Sequence, residues 1–300
     1  FIAGSDQIWS GNQKMNNIFF LKFAPPEKRI AFAPSFGTEN IEKYNIRSFR
    51  KEIKKFIKLS AREQRGQEII KELTGLTVPR IADPTFLKTL EEWVEFANQS
   101  HFHEAQYILV HFLDEPNDIA LQSLQSLSER TGHRIICFAY PHNVLQNFSG
   151  YQFTNGDPRD YVAAIERAEF VLTDSFHTTL FSIVFGKKFF TFARQYRHSG
   201  SQHSRIETLL GLVGYPERFI VDQASFNAAW DAKLHSCDDI LSKERIKAKE
   251  YLEDAIGIAD QDVQTDSNNV VKIKLADEES CTGCMACVSA CRRNAIGITT

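Results

Sequence analysis

The feature that most restricts the fold of this chain is a repeated change of period, in which short apolar runs give way to stretches whose apolar residues recur at helical spacing. The clearest case is Phe170-Val171-Leu172, which reads as an interior strand of a parallel sheet. Phe176, Leu180, Ile183 and Val184 follow at helical spacing, and Gly186 supplies a stop. Thr173-Asp174-Ser175 lies between the two patterns, so His177 falls in the first turn of a helix at the carboxyl end of a strand. Exposed N–H groups and the helix dipole favour anions at such a place, and open α/β sheets collect their ligands there. His177 is then either a group that acts on a bound anion or a partly buried structural histidine bonded to a nearby carbonyl.

The same alternation runs along most of the chain. Strands are expected at residues 30–34, 56–61 and 78–82 and helices at 46–55, 65–73 and 87–97, which together make a first half ending near residue 100. From Gln106 the pattern restarts with a strand at 107–110, a helix at 117–130, a strand at 134–140, a helix at 158–167, the His177 unit and a strand at 188–192. Two Rossmann-like α/β halves result, the second spanning about 101–225. A charged amphipathic helix at 243–255 closes a unit covering 1–259, the polar stretch 260–269 reads as a linker, and a third block occupies 270–300. The chain opens at Phe1 inside an expected strand, so the first half is expected to be N-terminally incomplete.

The formal net charge of −3 over 300 residues gives no basic signature, and nucleic acid is not an expected partner. No apolar run approaches the roughly 18 residues of a membrane span. A cytoplasmic protein without a transmembrane segment is expected, reaching at most the inner face of the membrane.

Six cysteines are present, and four of them form the run Cys281-x2-Cys284-x2-Cys287-x3-Cys291. Zinc sites favour two separated pairs, and a disulfide framework would call for other secretory signs. The spacing is that of bacterial iron–sulfur ligation, in which three thiolates hold one cluster and the fourth serves its neighbour. The run resembles the first half of a two-cluster ferredoxin, extended by Asn294-Ala295-Ile296, with Arg292 where that family has Pro. The resemblance implies 4Fe-4S cofactor chemistry and an electron-transfer partner. A second cysteine run would lie beyond Thr300, so this module too is expected to be incomplete. Cys137 and Cys237 lack such spacing and read as packing residues.

Two arginines stand at expected helix starts. Arg62 follows the strand 56–61, and Arg205 lies in Ser204-x-x-Glu207, a capping-box spacing. A cation there is disfavoured by roughly 0.3–1 kcal/mol unless an anion binds and reverses the sign; otherwise each is an ordinary solvated arginine. The loop Arg194-Gln195-Tyr196-Arg197-His198-Ser199-Gly200 either adds cations that close over an anion or is a wet loop. Asp6, after the apolar Phe1-Ile2-Ala3, could orient a hydroxyl, act as a base or cap a turn.

Gly4-Ser5-Asp6-Gln7-Ile8-Trp9, Ala33-Pro34-Ser35-Phe36-Gly37, Ser60-Ala61-Arg62-Glu63, Asp83-Pro84-Thr85 and the segment 173–185 occur in the order seen in the polysaccharide pyruvyl transferase family, which the chain resembles over about residues 1–220. The resemblance implies a GT-B-like fold and transfer of a pyruvyl group from phosphoenolpyruvate to two hydroxyls of a saccharide acceptor. It implies His177 as acid or base and Asp6 at the acceptor hydroxyl. Arg62, Arg205 and Ser175 would stand at the donor. Ser175-Phe176 replaces the Arg-Leu pair of characterised members, so one donor-binding arginine is absent. Two other classes fit the same pattern: a GT-B-like sugar-nucleotide glycosyltransferase, and an iron–sulfur redox protein with an α/β substrate domain.

Overall fold

A computed structural model describes residues 1–194, 203–261, 273–275 and 296–298. In the first half, β1 (Ile2–Ala3) and β2 (Ile30–Ala31) pair in parallel with Ile2 opposite Ile30. Two further segments continue the layer through single parallel bridges, Ile30 to Lys58 and Ala61 to Arg80. The backbone bonds Ala31 N to Lys58 O (2.9 Å) and Ile81 N to Ala61 O (2.9 Å) carry them. The strands expected at 30–34, 56–61 and 78–82 are therefore present as adjacent parallel segments of little regular length. Helices α1 (Lys43–Ile53) and α2 (Gln64–Thr74) cover the layer, and α2 ends at Gly75 with φ 80°. Behind them Trp9, Phe20, Phe36, Phe49 and Phe56 form an aromatic core with Ile69 and Ile70.

Gly4 explains how β1 can run so close to its neighbour. Its φ is 157°, and a Cβ there would lie 1.9 Å from the Phe32 carbonyl oxygen, so any larger residue would push β1 off the layer.

The second half is a six-stranded parallel sheet in the order β5-β4-β3-β6-β7-β8. Its strands are β3 (Tyr107–His111), β4 (Arg134–Phe138), β5 (Tyr151–Thr154), β6 (Phe170–Thr173), β7 (Lys188–Phe192) and β8 (Phe219–Ile220). Every residue of β3 is buried, as both-face coverage of a central strand requires. The covering helices are α4 (Asp118–Thr131), α5 (Pro158–Glu166), α6 (Phe176–Val184), α7 (His203–Val213) and α8 (Gln223–Asp231). The strand order reverses between β3 and β6, and the crevice outside their carboxyl ends is the switch point where such sheets take ligands.

Two elements depart from the sequence expectations. The helix expected at 87–97 splits into a short 3-10 turn at Pro84–Leu87 and α3 (Leu90–Asn98), started by a capping box between Thr89 and Glu92. α3 packs on the second half rather than the first: the Trp93 ring meets Phe181 edge-on at 4.9 Å, and Ala97 joins the core around Tyr107 and Phe138. The helix expected at 243–255 extends over Asp238–Gln261 (α9), two residues into the expected linker, and residues 262–269 lie outside the described ones.

α9 returns to the first half. Ala248, Tyr251 and Ala255 pack against Ile30, Phe32, Ala33 and Ile81, and the Tyr251 hydroxyl donates to Ala31 O at 2.8 Å. Arg245 Nε donates to Phe86 O at 3.0 Å, and Arg80 pairs with Glu244 at 3.1 Å. β9 (Ile273–Leu275) and β10 (Ile296–Ile298) form an antiparallel pair that brackets the cysteine run; Cys281, Cys284, Cys287 and Cys291 lie outside the described residues.

Removing α9 would bare the apolar face of the first sheet, whereas a cut just beyond its last residue would leave that face covered. A chain ending at Gln261 is expected to keep one cooperative melt by circular dichroism, and one ending at Cys237 to lose it; equal melting of the two would show that α9 does not hold the first half.

Candidate active site

The site is built where the carboxyl ends of the first sheet meet the switch point of the second. The first half contributes Asp6, Arg62 and Asp83, each placed just after an apolar strand segment. The second contributes Ser175, Phe176 and His177 from the start of α6, and Arg205 from the first turn of α7.

Each residue of Thr173-Asp174-Ser175 has a separate task in fixing the start of α6. Thr173 Oγ1 donates to His111 O (2.6 Å) and accepts from Ser175 N (2.9 Å). The Asp174 carboxylate accepts from Leu113 N (2.7 Å) and Asp114 N (3.0 Å), tying the turn after β6 to the turn after β3. Burial pushes its carboxyl up, against the pull of Arg194 and those two amides. Ser175 is the N-cap, accepting from Thr178 N at 3.4 Å. Below it, Thr178 Oγ1 meets His111 Nδ1 at 2.6 Å and the Tyr161 hydroxyl at 2.8 Å. Burial, with Arg194 and His142 adding to it, pushes His111 down to about 4, so its ring is neutral at ordinary pH. The cap and this hydrogen-bond chain hold α6 by its inner face and leave His177, with its side chain 36% exposed, at the mouth of the crevice.

Arg62 is the centre of the site, and neither sequence reading describes it fully. It is not solvated: its side chain is 3% exposed. The anions against it belong to the protein. Nη1 donates to Asp83 Oδ2 at 2.6 Å and Nη2 to Asp6 Oδ1 at 3.3 Å, while Nε lies 3.7 Å from Glu63 Oε2. Burial opposes the Arg62 charge, and Asp83, Glu63 and Asp6 outweigh it, so its proton is held more firmly than usual. Asp83 behaves correspondingly: burial works against its charge, yet His177 and Arg62 hold the carboxyl well below the usual carboxylate range. Glu63 is fixed from the other side, accepting at Oε1 from Ser35 Oγ and Phe36 N, both at 3.0 Å.

Arg205 is also buried, and its Nη1 lies 3.8 Å from Asp6 Oδ1. α7 begins at His203, which puts Ser204 inside the first turn rather than at the cap, so Ser204-x-x-Glu207 is not a capping box. Phe176 packs under both cations, its ring centre 4.2 Å from the Arg62 guanidinium and 5.9 Å from that of Arg205. Asp6, by contrast, has a side chain 60% exposed and faces the crevice. Arg194 sits on Asp174, Nε to Oδ2 at 3.4 Å, and the rest of its loop, 195–200, lies outside the described residues.

The structure thus brings Asp6, Arg62, Arg205, Ser175 and His177 into one neighbourhood. It adds Asp83, which sequence reasoning had only as part of a motif. An Asp after a strand is most often a cap, and Asp83 is one as well, accepting from Thr85 N at 3.0 Å; nothing local marks its second task. Cys137 and Cys237 are buried and unpaired, as packing residues. Among the described residues no group of three or more His, Cys, Asp or Glu could hold a metal ion.

Because Asp83 titrates far below an unfolded aspartate, its stabilisation is complete above about pH 4 and drains away as the pH falls further. The melting temperature of the wild type should fall between about pH 4 and pH 2, and less steeply for Asp83→Asn. Arg62→Ala leaves Asp83 and Glu63 buried without their cation and is expected to cost about 3–5 kcal/mol in urea unfolding.

Among known families, Polysaccharide pyruvyl transferase matches residues 1–196, and 4Fe-4S binding domain matches residues 276–297. No curated protein sequence matches the chain. Among solved structures, UDP-N-acetylglucosamine 2-epimerase from Rickettsia bellii is 12% identical with a TM-score of 0.49, over 86% of this chain and 83% of that one. UDP-GlcNAc 2-epimerase from Methanocaldococcus jannaschii is 13% identical with a TM-score of 0.45, over 81% and 84%. The Neisseria meningitidis UDP-GlcNAc 2-epimerase is 13% identical with a TM-score of 0.44, over 78% and 71%. With the match to residues 1–196 covering well over half of its length, the chain belongs to the polysaccharide pyruvyl transferase family and is an enzyme, a transferase.

Proposed function

We propose that this enzyme moves a pyruvyl group from phosphoenolpyruvate onto two hydroxyls of a saccharide, in a cell-surface polysaccharide or its precursor, between two halves arranged as in GT-B enzymes. The observation that carries the reading is His177 standing partly exposed beside a buried Arg62–Asp83 pair, with the exposed Asp6 on the same arginine layer. An acid or base, two cations and a solvent-facing carboxylate are what the transfer requires.

In this reading His177 delivers a proton to the enol methylene of the donor, and positive charge develops at the carbon bearing the phosphate. A sugar hydroxyl attacks that carbon and gives up its proton, with Asp6 addressing the hydroxyl. The carbon–oxygen bond to phosphate then breaks, and a second sugar hydroxyl closes the cyclic ketal. Of the two hydroxyl protons released, one balances the proton gained by the methyl group and the other leaves with phosphate. Arg205 meets the donor's anionic groups, Ser175 holds the helix start beneath them, and Arg62 fixes Asp6 and Asp83 around the reacting centre. Such a donor places the reaction in the cytoplasm; among the described residues no helix is long and apolar enough to cross a membrane.

Cys281, Cys284 and Cys287 would give three thiolates to one 4Fe-4S cluster and Cys291 a thiolate to its neighbour, and the match of residues 276–297 to a 4Fe-4S binding domain supports that reading. A bound cluster supplies one-electron transfer to a partner. Pyruvyl transfer moves no electrons, so His177, Asp6 and the arginines act without it.

The transferase test is incubation with phosphoenolpyruvate and candidate saccharides, following phosphate release and the new ketal methyl signal by NMR. His177→Ala is expected to lower kcat by about 10²- to 10⁴-fold while leaving the melting temperature near that of the wild type. Binding of a sugar nucleotide, with no affinity for phosphoenolpyruvate, would replace this reading by glycosyl transfer. For the second block, anaerobically purified protein is expected to be brown and Cys284→Ser to bleach it; zinc without iron or sulfide would remove the cluster.

A further inference from the structure

Asp83 is the one residue of the constellation that the proposed reaction steps leave without a task of its own, and its surroundings are specific. Oδ1 accepts from Thr85 N at 3.0 Å and from Thr85 Oγ1 at 2.7 Å. Oδ2 accepts from Arg62 Nη1 at 2.6 Å and lies 3.3 Å from Ser5 Oγ, whose hydroxyl donates to Ala33 O at 2.7 Å. With donors on both oxygens and a side chain 3% exposed, the carboxylate has no freedom to turn. The same Oδ2 faces His177 Nε2 at 3.7 Å, across the line where the first half meets the second.

We propose that Asp83 is a positioning residue that fixes His177 with its proton on Nε2, leaving Nδ1 as the ring nitrogen that exchanges a proton with the substrate. A neutral imidazole carries one N–H, and the nitrogen beside an immobile carboxylate is the one that keeps it. At 3.7 Å the contact is an ion-pair distance rather than a hydrogen bond. The His177 ring is exposed enough to turn the remaining few tenths of an ångström, whereas Asp83 is not. Nε2 is thereby occupied by the protein, and Nδ1 is the nitrogen left for the substrate. Because Asp83 belongs to the first half and His177 to the second, the acid–base group is complete only with the halves together.

The inference rests on His177 being the proton-handling group of the proposed transfer, and its test separates the two. Histidine ¹⁵N-labelled full-length protein gives the tautomer directly from long-range ¹H–¹⁵N correlations, with His177 assigned by comparison with His177→Gln. At a pH where the ring is neutral the expected result in the wild type is Nε2–H with a bare Nδ1, the form left once Nδ1 has given its proton to the donor; an Nδ1–H tautomer would overturn the inference, whether or not any variant folds. Asp83→Asn is expected to abolish the preference and to lower kcat by about 10²-fold or more, while KM for phosphoenolpyruvate changes by less than about threefold. A purely structural Asp83 would instead lower the melting temperature with the tautomer and the kcat of the folded enzyme unchanged, which also overturns the inference. Absence of any turnover with phosphoenolpyruvate in a wild type that shows the Nε2–H tautomer would strike only the pyruvyl reading.

Discussion

The buried pair of Arg62 and Asp83, 2.6 Å apart, is the interaction on which the rest of the site depends. Taking two charges out of water costs several kcal/mol per ion, and their attraction repays it only when the remaining donors and lone pairs are also used. Here they largely are, by Thr85 and Ser5 on the Asp83 side and by Asp6 on the Arg62 side. Such a pair adds little net stability over an apolar substitute, yet it dictates geometry. Arg62 can satisfy both acids only if the turns after three separate strand segments stand at one height. The carboxyl ends of the first sheet are thereby gathered into a single functional edge.

The second half meets that edge with an element fixed by different means. α6 is held by the Ser175 cap, by Thr173 on the His111 carbonyl, by the chain from His111 through Thr178 to Tyr161, and by the Asp174 carboxylate on Leu113 N and Asp114 N beside Arg194. A neutral His111 suits this task, since an imidazolium beneath the helix N-terminus would oppose the dipole. The charges that meet the crevice thus come from the first half and from Arg205, while the second half turns its own ion pair, Asp174 with Arg194, into the turns that hold α6 and present His177.

How much of this was legible in sequence depended on distance along the chain. The strands expected at 107–110 and 188–192 and the start of α6 follow from local period and caps; the first runs one residue further, over Tyr107–His111, and the second is a strand as read. β5 was missed because Gln152 and Phe153 are exposed on an edge strand and show no buried run, and β8 because two residues carry no period. α3 was assigned to the first half since amphipathicity shows that a helix has an apolar face, not which sheet that face meets. The burial of Arg62 was out of reach for the same reason: its partners Asp83 and Asp6 lie 21 and 56 residues away. What local reading could supply was the coincidence of acidic and basic residues just after strands.

Phe176 then makes sense as part of the electrostatics. Where the family resemblance leads one to expect an Arg-Leu pair, this chain has Ser175-Phe176, and the ring lies against Arg62 and near Arg205. An arginine in that neighbourhood would place a third cation beside two that are already buried. The aromatic face instead accepts both, excludes water from beneath them and strengthens their hold on carboxylates in a lowered dielectric. Asp6, Glu63 and Asp83 already stand against Arg62 and Arg205. In the proposed transfer the donor would take the place of a carboxylate, and Asp6, exposed and held at 3.3 and 3.8 Å, is the most loosely held of the three. Entry of the donor would thus release Asp6 toward the crevice, where the proposed transfer requires a carboxylate to meet the acceptor hydroxyl.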